Sequence, residues 1–254
     1  MPISRDFFAR TSVLVAPDLL GCVLEHETPD GLVAVELTEV EAYAGQTDPA
    51  SHAYRGKTAR NAVMFGPPGH AYVYFTYGMH FCVNLVCLGD DSASAVLLRA
   101  GRVIEGEELA RARRSGRKPP ADPGDPPADP GDPPADPGDP HGDPGHPGVP
   151  DTPVARPLAA RDLARGPARL CQALDIDRSL DGADVCAAGS PLRVRSGRLW
   201  PRTTDRSEEL KEISSGPRVG VSRAAEVPWR FWITGEPTVS VYRPAVPRRK
   251  PVTP

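Results

Sequence analysis

Two glutamates, Glu39 and Glu41, lie two residues apart near the end of a predicted β-strand, 32–43. Apolar and less apolar side chains alternate from Val33 to Leu37, which is typical of a strand with one core-facing side. Glu39 and Glu41 continue the core-facing series, so the pattern predicts two carboxylates on the buried side. Burial disfavours the charged form of a carboxylate and can raise its pKa toward that of a general base. Periodicity alone favours the alternative, glutamates that a bulge turns outward or that pair with an arginine.

A second chemical feature is the tip of a predicted hairpin, Tyr77-Gly78-Met79-His80, between strands expected at about 71–76 and 81–88. Glycine permits a tight turn, but large side chains on both sides of it are unusual in a solvated turn. Such side chains can fill the gap that remains when a base is pushed out of a DNA duplex. Alternatively, Tyr77 and Met79 fold back onto the core, and the segment alone does not decide between the two.

A basic loop at 55–61, followed by a glycine- and proline-rich segment at 65–69, lies between the predicted hairpins. Its donors suit contacts with phosphate, although a solvated loop is the default interpretation. The Gly56-Lys57-Thr58 sequence lacks the upstream glycine and strand of a nucleotide-binding loop.

Cysteine and lysine content limits the other kinds of chemistry. The five cysteines are odd in number and include no CxxC pair, so neither a disulfide framework nor a zinc site is expected. An amine nucleophile needs a lowered pKa, and none of the four lysines lies in an apolar strand. These residues therefore suggest neither a zinc site nor an amine nucleophile, and we expect no metal, no cofactor and no covalent intermediate.

The composition is that of a soluble protein. Apolar residues make up 39% of the 254 residues, and no apolar run is long enough for a membrane helix. The first residues lack the features of a secretory signal. These observations predict a cytoplasmic protein, nucleoid-associated if the source is bacterial.

Acidic residues are concentrated in one segment. The heptad PPADPGD occurs three times from Pro119 to Asp139, and residues 119–153 contain eight aspartates and no lysine or arginine. Without them 25 acidic and 30 basic residues remain, a net charge of +5 that suits a phosphate-contacting surface. Proline and the lack of large apolar side chains predict a disordered loop.

The remaining segments predict strands and helices around one core. A turn at Pro29-Asp30-Gly31 joins two strands into a first hairpin. Further elements are a strand at 95–100 that contains Arg99, a helix at 103–114, a helix that opens with Gly166-Pro167 and ends at Leu174, and strands at 229–234 and 238–243.

Several short motifs are spread along the chain. They are Asp6-Phe-Phe-Ala-Arg10, Leu19-Leu-Gly21, Glu39-Val-Glu-Ala-Tyr43, His52, Arg60-Asn61, Met64-Phe65, Tyr72-Val-Tyr74, Tyr77-Gly-Met79, Phe81-Cys-Val-Asn84, Val96-Leu-Leu-Arg99, Gly166-Pro-Ala-Arg-Leu-Cys-Gln-Ala-Leu174, Arg218-Val-Gly-Val221 and Pro237-Thr-Val-Ser-Val241. With them the chain resembles the alkyladenine (methylpurine, 3-methyladenine) DNA glycosylase family. The resemblance covers the chain except 115–157. It implies one domain, 1–254, with an insertion at about 115–157, and an α+β fold with a curved antiparallel sheet, a protruding hairpin and surrounding helices.

The resemblance implies roles for the catalytic residues and the base slot. Glu41 would be the general base that activates water, and Arg99 would help to hold that water and the glutamate. Tyr43, His52 and Tyr74 would form an aromatic slot that stacks the flipped base.

Other implied roles concern selectivity and DNA. Asn84 would exclude normal guanine, and Leu97 would line the pocket. Tyr77 would intercalate into DNA as a wedge, with Met79 beside it. His80 departs from the family pattern, in which an aromatic residue is expected.

The implied activity is that of a monofunctional DNA glycosylase without lyase activity. It would flip alkylated or deaminated purines out of double-stranded DNA and hydrolyse the N-glycosidic bond, initiating base excision repair as a monomer. The alternative is a non-catalytic nucleic-acid-binding relative of the same fold, although a mere binder gains nothing from a buried carboxylate at position 41. The sequence does not decide among 3-methyladenine, 7-methylguanine, hypoxanthine and ethenoadenine.

Overall fold

One curved antiparallel sheet organises the part of the chain that the structure describes. This computed structural model describes residues 2–76, 78–89, 91–116, 158–197 and 212–245. The strands are β1 (Val23–Thr28), β2 (Gly31–Tyr43), β3 (Ala71–Thr76), β4 (His80–Cys87), β5 (Ser94–Glu105), β6 (Leu192–Arg195), β7 (Ile213–Gly216) and β8 (Arg230–Ile233). The helices are α1 (Arg5–Phe8), α2 (Ser12–Leu19), α3 (Glu107–Gly116) and α4 (Pro167–Leu174). The α+β prediction is confirmed.

Strand β2 lies at the centre of the sheet. The strand order is β3-β4-β5-β2-β1-β6, with β8 paired to β2 and β7 paired to β8. The first half of β2 pairs with β1, residues Glu39–Glu41 pair with β8, and β5 runs along the other edge. The two predicted hairpins, β1-β2 and β3-β4, are confirmed.

A bulge in β2 reverses which residues face the core. Leu37 pairs with Gly101 but Glu39 pairs with Ala100, so Thr38 is an extra residue in the strand. The core-facing residues are Val33, Val35 and Leu37 before this position, and Val40 and Ala42 after it. The prediction that Glu39 and Glu41 continue the core-facing series is therefore wrong, and the bulge alternative describes the strand correctly.

The main core lies between the sheet and helices α2 and α4. Both helices pack on β2, and α4 also packs on β4 and β5. Helix α4 begins with Pro167, as predicted, because a proline at the first helical position forfeits no internal hydrogen bond. It ends at Leu174, where Asp175 adopts a left-handed conformation.

Two segment predictions differ from the structure. The strand predicted at 95–100 extends to Glu105, and the following helix begins at Glu107 instead of residue 103. Gly106 lies between the strand and the helix. Its φ of +73° and its close approach to the Leu32 carbonyl leave no room for a Cβ atom, so this position requires glycine. The strand predicted at 238–243 is not formed, since Ser240 donates its backbone N–H to the Glu39 side chain instead of a sheet partner.

The predicted disordered loop, 119–153, lies outside the described residues, and α3 extends to Gly116 inside the insertion predicted at 115–157. Within the described ranges, no helix combines the length and the apolar character that crossing a membrane requires.

Candidate active site

The predicted site residues meet on the face of the sheet opposite the main core. Glu41 on β2 pairs with Leu97 on β5, Leu97 pairs with Asn84 on β4, and Asn84 pairs with Tyr72 on β3. Directly paired residues in antiparallel strands point to the same face. The register of four strands therefore places these side chains in one row across the sheet.

Glu41 is fully buried at one end of this row. Its Oε1 accepts a hydrogen bond from the backbone N–H of Val219 at 2.8 Å, and its Oε2 accepts one from the Tyr43 hydroxyl at 2.9 Å. The segment after β7 thus covers the carboxylate that the bulge turned away from the core. Two donors, one on each oxygen, fix the plane of the carboxylate and leave lone pairs for a further donor.

Arg99 approaches Glu41 from the neighbouring strand. Its Nε lies 3.4 Å from Glu41 Oε1, and its side chain is 4% exposed. Arg99 is itself a bulged residue of β5, because Val40 pairs with Leu98 while Glu39 pairs with Ala100. Burial lowers the pKa of the guanidinium, but the carboxylates of Glu41 and Glu39 outweigh burial, so the pKa lies above its ordinary range. The structure thus brings the two predicted catalytic residues together.

Glu39 forms a denser network that the sequence analysis assigned to no role. Its Oε1 accepts from Arg99 Nε at 2.8 Å, from Arg230 Nε at 2.7 Å and from Ser240 Oγ at 2.9 Å. Its Oε2 accepts from Ser240 N at 2.6 Å. Burial raises the pKa of Glu39, but the charges of Arg99 and Arg230 outweigh it, so the pKa is below its ordinary value. Glu39 therefore remains ionised and holds Arg99 beside Glu41.

Two of the three residues predicted for the aromatic slot are in direct contact. The rings of His52 and Tyr74 meet edge to face, with centroids 4.6 Å apart. Tyr72, which no prediction included, stacks on Tyr74 at 5.5 Å, and its hydroxyl lies 3.3 Å from His52 Nδ1. Tyr43, the third predicted residue, donates to Glu41 and lies against Arg218 instead. The aromatic side chains thus form two groups: Tyr43 on β2 at one end of the row, and His52 with Tyr72 and Tyr74 at the β3 end.

The predicted basic loop helps to place His52. Asn61 is buried, and its Nδ2 donates to the carbonyls of His52 at 3.0 Å and of Gly56 at 3.1 Å. Its Oδ1 accepts from Thr58 N at 2.6 Å. Arg60 donates to the Phe75 carbonyl at 3.2 Å. Asn61 therefore fixes the conformation of the loop next to His52. Contacts between the basic residues of the loop and phosphate stay a prediction.

Asn84 and Leu97 occupy the middle of the row. Asn84 is 6% exposed and Leu97 is 5% exposed. Asn84 Nδ2 donates to the Tyr72 carbonyl at 3.3 Å, which fixes the amide orientation. Their places are those expected for residues that line a pocket, and the exclusion of guanine by Asn84 stays a prediction.

The hairpin tip is exposed where the structure describes it. The Met79 side chain is 55% exposed, so this residue does not fold back onto the core. Gly78 has a φ of +63°, in the left-handed region that glycine adopts without strain. Tyr77, the predicted intercalating residue, lies outside the described residues. His80 begins β4, and burial lowers its pKa, with a smaller contribution from the charge of Arg114.

Sequence reasoning assigned no role to Glu39, Arg230, Asp48 or Arg218, all of which are nearly or completely buried. The Glu-x-Glu spacing was the one signal for Glu39. Asp48 and Arg218 are 170 residues apart, and they meet only because β7 and the following segment return to the end of β2.

Comparison with known proteins points to one family. A family profile described as methylpurine-DNA glycosylase matches residues 6–237. A protein from Streptomyces avermitilis is 49% identical over 98% of this chain and 95% of its own length. Relatives from Leifsonia xyli subsp. xyli and Methanocella arvoryzae are 43% and 40% identical, over 94% and 96% of this chain and 92% and 98% of their own lengths. All three carry the provisional name 3-methyladenine DNA glycosylase.

The curved sheet and the buried carboxylate paired with Arg99 agree with the DNA glycosylase class, which the family match shows. The chain belongs to the methylpurine-DNA glycosylase family.

Proposed function

We propose that this protein is a monofunctional DNA glycosylase that flips alkylated or deaminated purines out of double-stranded DNA and hydrolyses the N-glycosidic bond. The observation that carries the proposal is the environment of Glu41. This carboxylate is fully buried, oriented by one neutral donor on each oxygen and paired with Arg99 at 3.4 Å. A family that only binds DNA would gain no affinity from burying it, because desolvation of a carboxylate is costly.

In the proposed reaction Glu41 accepts a proton from water as the water oxygen bonds to C1′ of the sugar. The bond between C1′ and the purine nitrogen breaks, and its electron pair leaves with the base. Because the transition state resembles an oxocarbenium ion, the negative carboxylate also opposes positive charge on the sugar. Arg99 holds Glu41 in place, and Glu39 in turn holds Arg99.

The aromatic groups would bind the flipped base. Tyr43 lies on the Glu41 side of the row, and the His52–Tyr74 pair lies at β3, with Asn84 and Leu97 between them. A planar base inserted there gains stacking contacts with tyrosine rings on the sheet and with His52, which Asn61 holds in place. The exposed Met79 supports a wedge at the hairpin tip, with Tyr77 as its main residue.

The proposal includes no lyase activity. A lyase needs an amine nucleophile of lowered pKa close to C1′. Lys57 is the only lysine among the described residues. It is exposed, and its Nζ lies 5.7 Å from the centroid of the Phe65 ring. We also propose that the enzyme acts as a monomer in the cytoplasm. The positive charge outside residues 119–153 supports binding to DNA.

The test is incubation of the protein with DNA duplexes that each contain one lesion: 3-methyladenine, 7-methylguanine, hypoxanthine or ethenoadenine. Release of free base is measured, and strand cleavage is measured without and with alkali. The proposal expects release of at least one base and strand cleavage only after alkali. The matched variants are Glu41→Gln and Glu36→Gln, which lie on the same strand.

Loss of release in Glu41→Gln but not in Glu36→Gln would support the assigned base. Tight binding of every lesion without release in the native protein would instead show the non-catalytic relative. Strand cleavage without alkali would remove the monofunctional part of the proposal.

A further inference from the structure

A buried ion pair lies behind Tyr43. Arg218 donates to Asp48 through Nη1 at 2.5 Å and Nη2 at 2.9 Å, and both side chains are 0% exposed. Nη1 also donates to the Ala42 carbonyl at 3.0 Å. Burial lowers the pKa of the guanidinium, but the hydrogen bonds and charge of Asp48 outweigh it, so the pKa lies above its ordinary value. Arg218 therefore carries a fixed positive charge.

This charge lies against two aromatic rings. Arg218 Cζ is 4.7 Å from the centroid of the Tyr43 ring and 5.3 Å from that of Trp229. Its Nε has no hydrogen-bond partner among the described residues. Asp48 and the Ala42 carbonyl thus accept hydrogen bonds from the two terminal nitrogens of Arg218, and the rings of Tyr43 and Trp229 pack against its guanidinium. One face of Tyr43 is occupied by a cation, which leaves the opposite face for a base.

The electrostatics of an aromatic ring connect its two faces. A cation is attracted to the negative π-density of a ring. Because one cation already draws on this density, a second cation on the opposite face is attracted less strongly, whereas a neutral ring is affected less. Purines alkylated at a ring nitrogen, such as 7-methylguanine in DNA, are cationic. Deaminated purines such as hypoxanthine are neutral.

We propose that Arg218 is a positioning and specificity residue that, from its place behind Tyr43, disfavours cationic purines relative to neutral ones in the slot. This inference rests on the proposed function, in which Tyr43 stacks the base. Asp48 sets the strength of the effect, since its negative charge offsets part of the charge of Arg218.

The experiment compares single-turnover release from two duplexes that differ only in the lesion, 7-methylguanine or hypoxanthine. The quantity measured is the ratio of the two rate constants, cationic over neutral. Asp48→Asn leaves the cation without its partner, so the ratio should fall by about two- to fivefold. Arg218→Gln combined with Asp48→Asn removes both charges, and the ratio should rise by a similar factor. A merely structural defect lowers both rates and does not move the ratio in opposite directions.

Two further variants serve as controls. Arg218→Lys keeps the charge behind Tyr43, so its ratio should stay closer to that of the native protein than the ratio of the double variant, even if both rates are lower. Arg102→Gln removes an arginine of β5 that pairs with Glu36. Glu36 lies on β2 like Tyr43 but seven residues before it, so the ratio of this variant should not change. Thermal melts of each variant show which proteins are folded.

Ratios that stay constant in Asp48→Asn and in the double variant, or that move in the same direction, would overturn the inference and leave Arg218 a structural residue. Failure of the native protein to release any of the four lesions named above would remove the proposed function, and this inference with it. The native control thus separates the two failures.

Discussion

Glu39 and Glu41 are two buried carboxylates on one face of one strand, yet their surroundings are opposite in kind. Four donors, two of them arginines, converge on Glu39. Glu41 receives two neutral donors, and the arginine that it shares lies closer to Glu39, at 2.8 Å against 3.4 Å. Four donors match the roughly four acceptor sites of a carboxylate, whereas Glu41 has acceptor sites left for the proton of a water molecule. The difference favours a structural role for Glu39 and supports the proposed role of Glu41 as the base.

The largest effect is expected for Glu41→Gln. The amide keeps the shape of the side chain but removes the base, so single-turnover base release should fall by at least about a hundredfold. DNA affinity should be retained, since the aromatic groups are unchanged. Both quantities are measured on the same lesion-containing duplex. Near-normal release would remove the assigned mechanism, and loss of release together with loss of binding would make Glu41 structural.

Glu39→Gln should mainly affect folding. It leaves the charges of Arg99 and Arg230 buried without their shared carboxylate, and loss of one partner of a buried pair typically costs about 3–5 kcal/mol. The free energy of unfolding is measured by urea denaturation. The control is Glu36→Gln, because Glu36 pairs with Arg102, whose side chain is 50% exposed. Such a pair contributes about 0–1 kcal/mol, so similar losses in both variants would contradict the comparison.

The stability difference between the native protein and Glu39→Gln should depend on pH in one direction. The pKa of Glu39 is lower in the folded protein than in the unfolded chain. Its contribution is therefore fully present above the ordinary glutamate pKa and is lost as the pH falls through the folded-state value. Denaturation from neutral pH into the acid range should show the difference narrowing below about pH 4.5. A difference that grows in acid would contradict the direction of this shift.

Tyr43→Phe should give a smaller effect and sharpen the assignment of Glu41. The variant removes the donor to Oε2 but keeps the ring beside Arg218. A hydrogen bond to a charged group contributes about 1.5–3 kcal/mol. Because the Val219 N–H still orients the carboxylate, we expect the lower end of this range, and release should slow by about tenfold. Binding of lesion-containing DNA should remain, because stacking is preserved. An unchanged rate would show that the Val219 N–H alone suffices to orient the carboxylate.

The sequence by itself determined the hairpins, the helix that begins at Pro167 and the motifs that carry the family resemblance. These features depend on local rules, such as alternation of apolar residues, turn residues and the position of a proline. The resemblance also led us to expect Arg99 beside Glu41, and the structure places the two together; their catalytic roles stay predictions. The predicted roles of Tyr77, Asn84 and the segment 119–153 stay predictions.

Only the tertiary structure decided which face of the strand Glu41 occupies. Alternation from Val33 onward predicted the core face, but one extra residue at Thr38 reverses the face of every later side chain. Glu41 is nevertheless buried, because residues from far along the chain cover the opposite face. Local periodicity contains no information about such a bulge or such a cover. The pairs that hold the site, Glu39 with Arg230 and Asp48 with Arg218, likewise exist only after the sheet has formed.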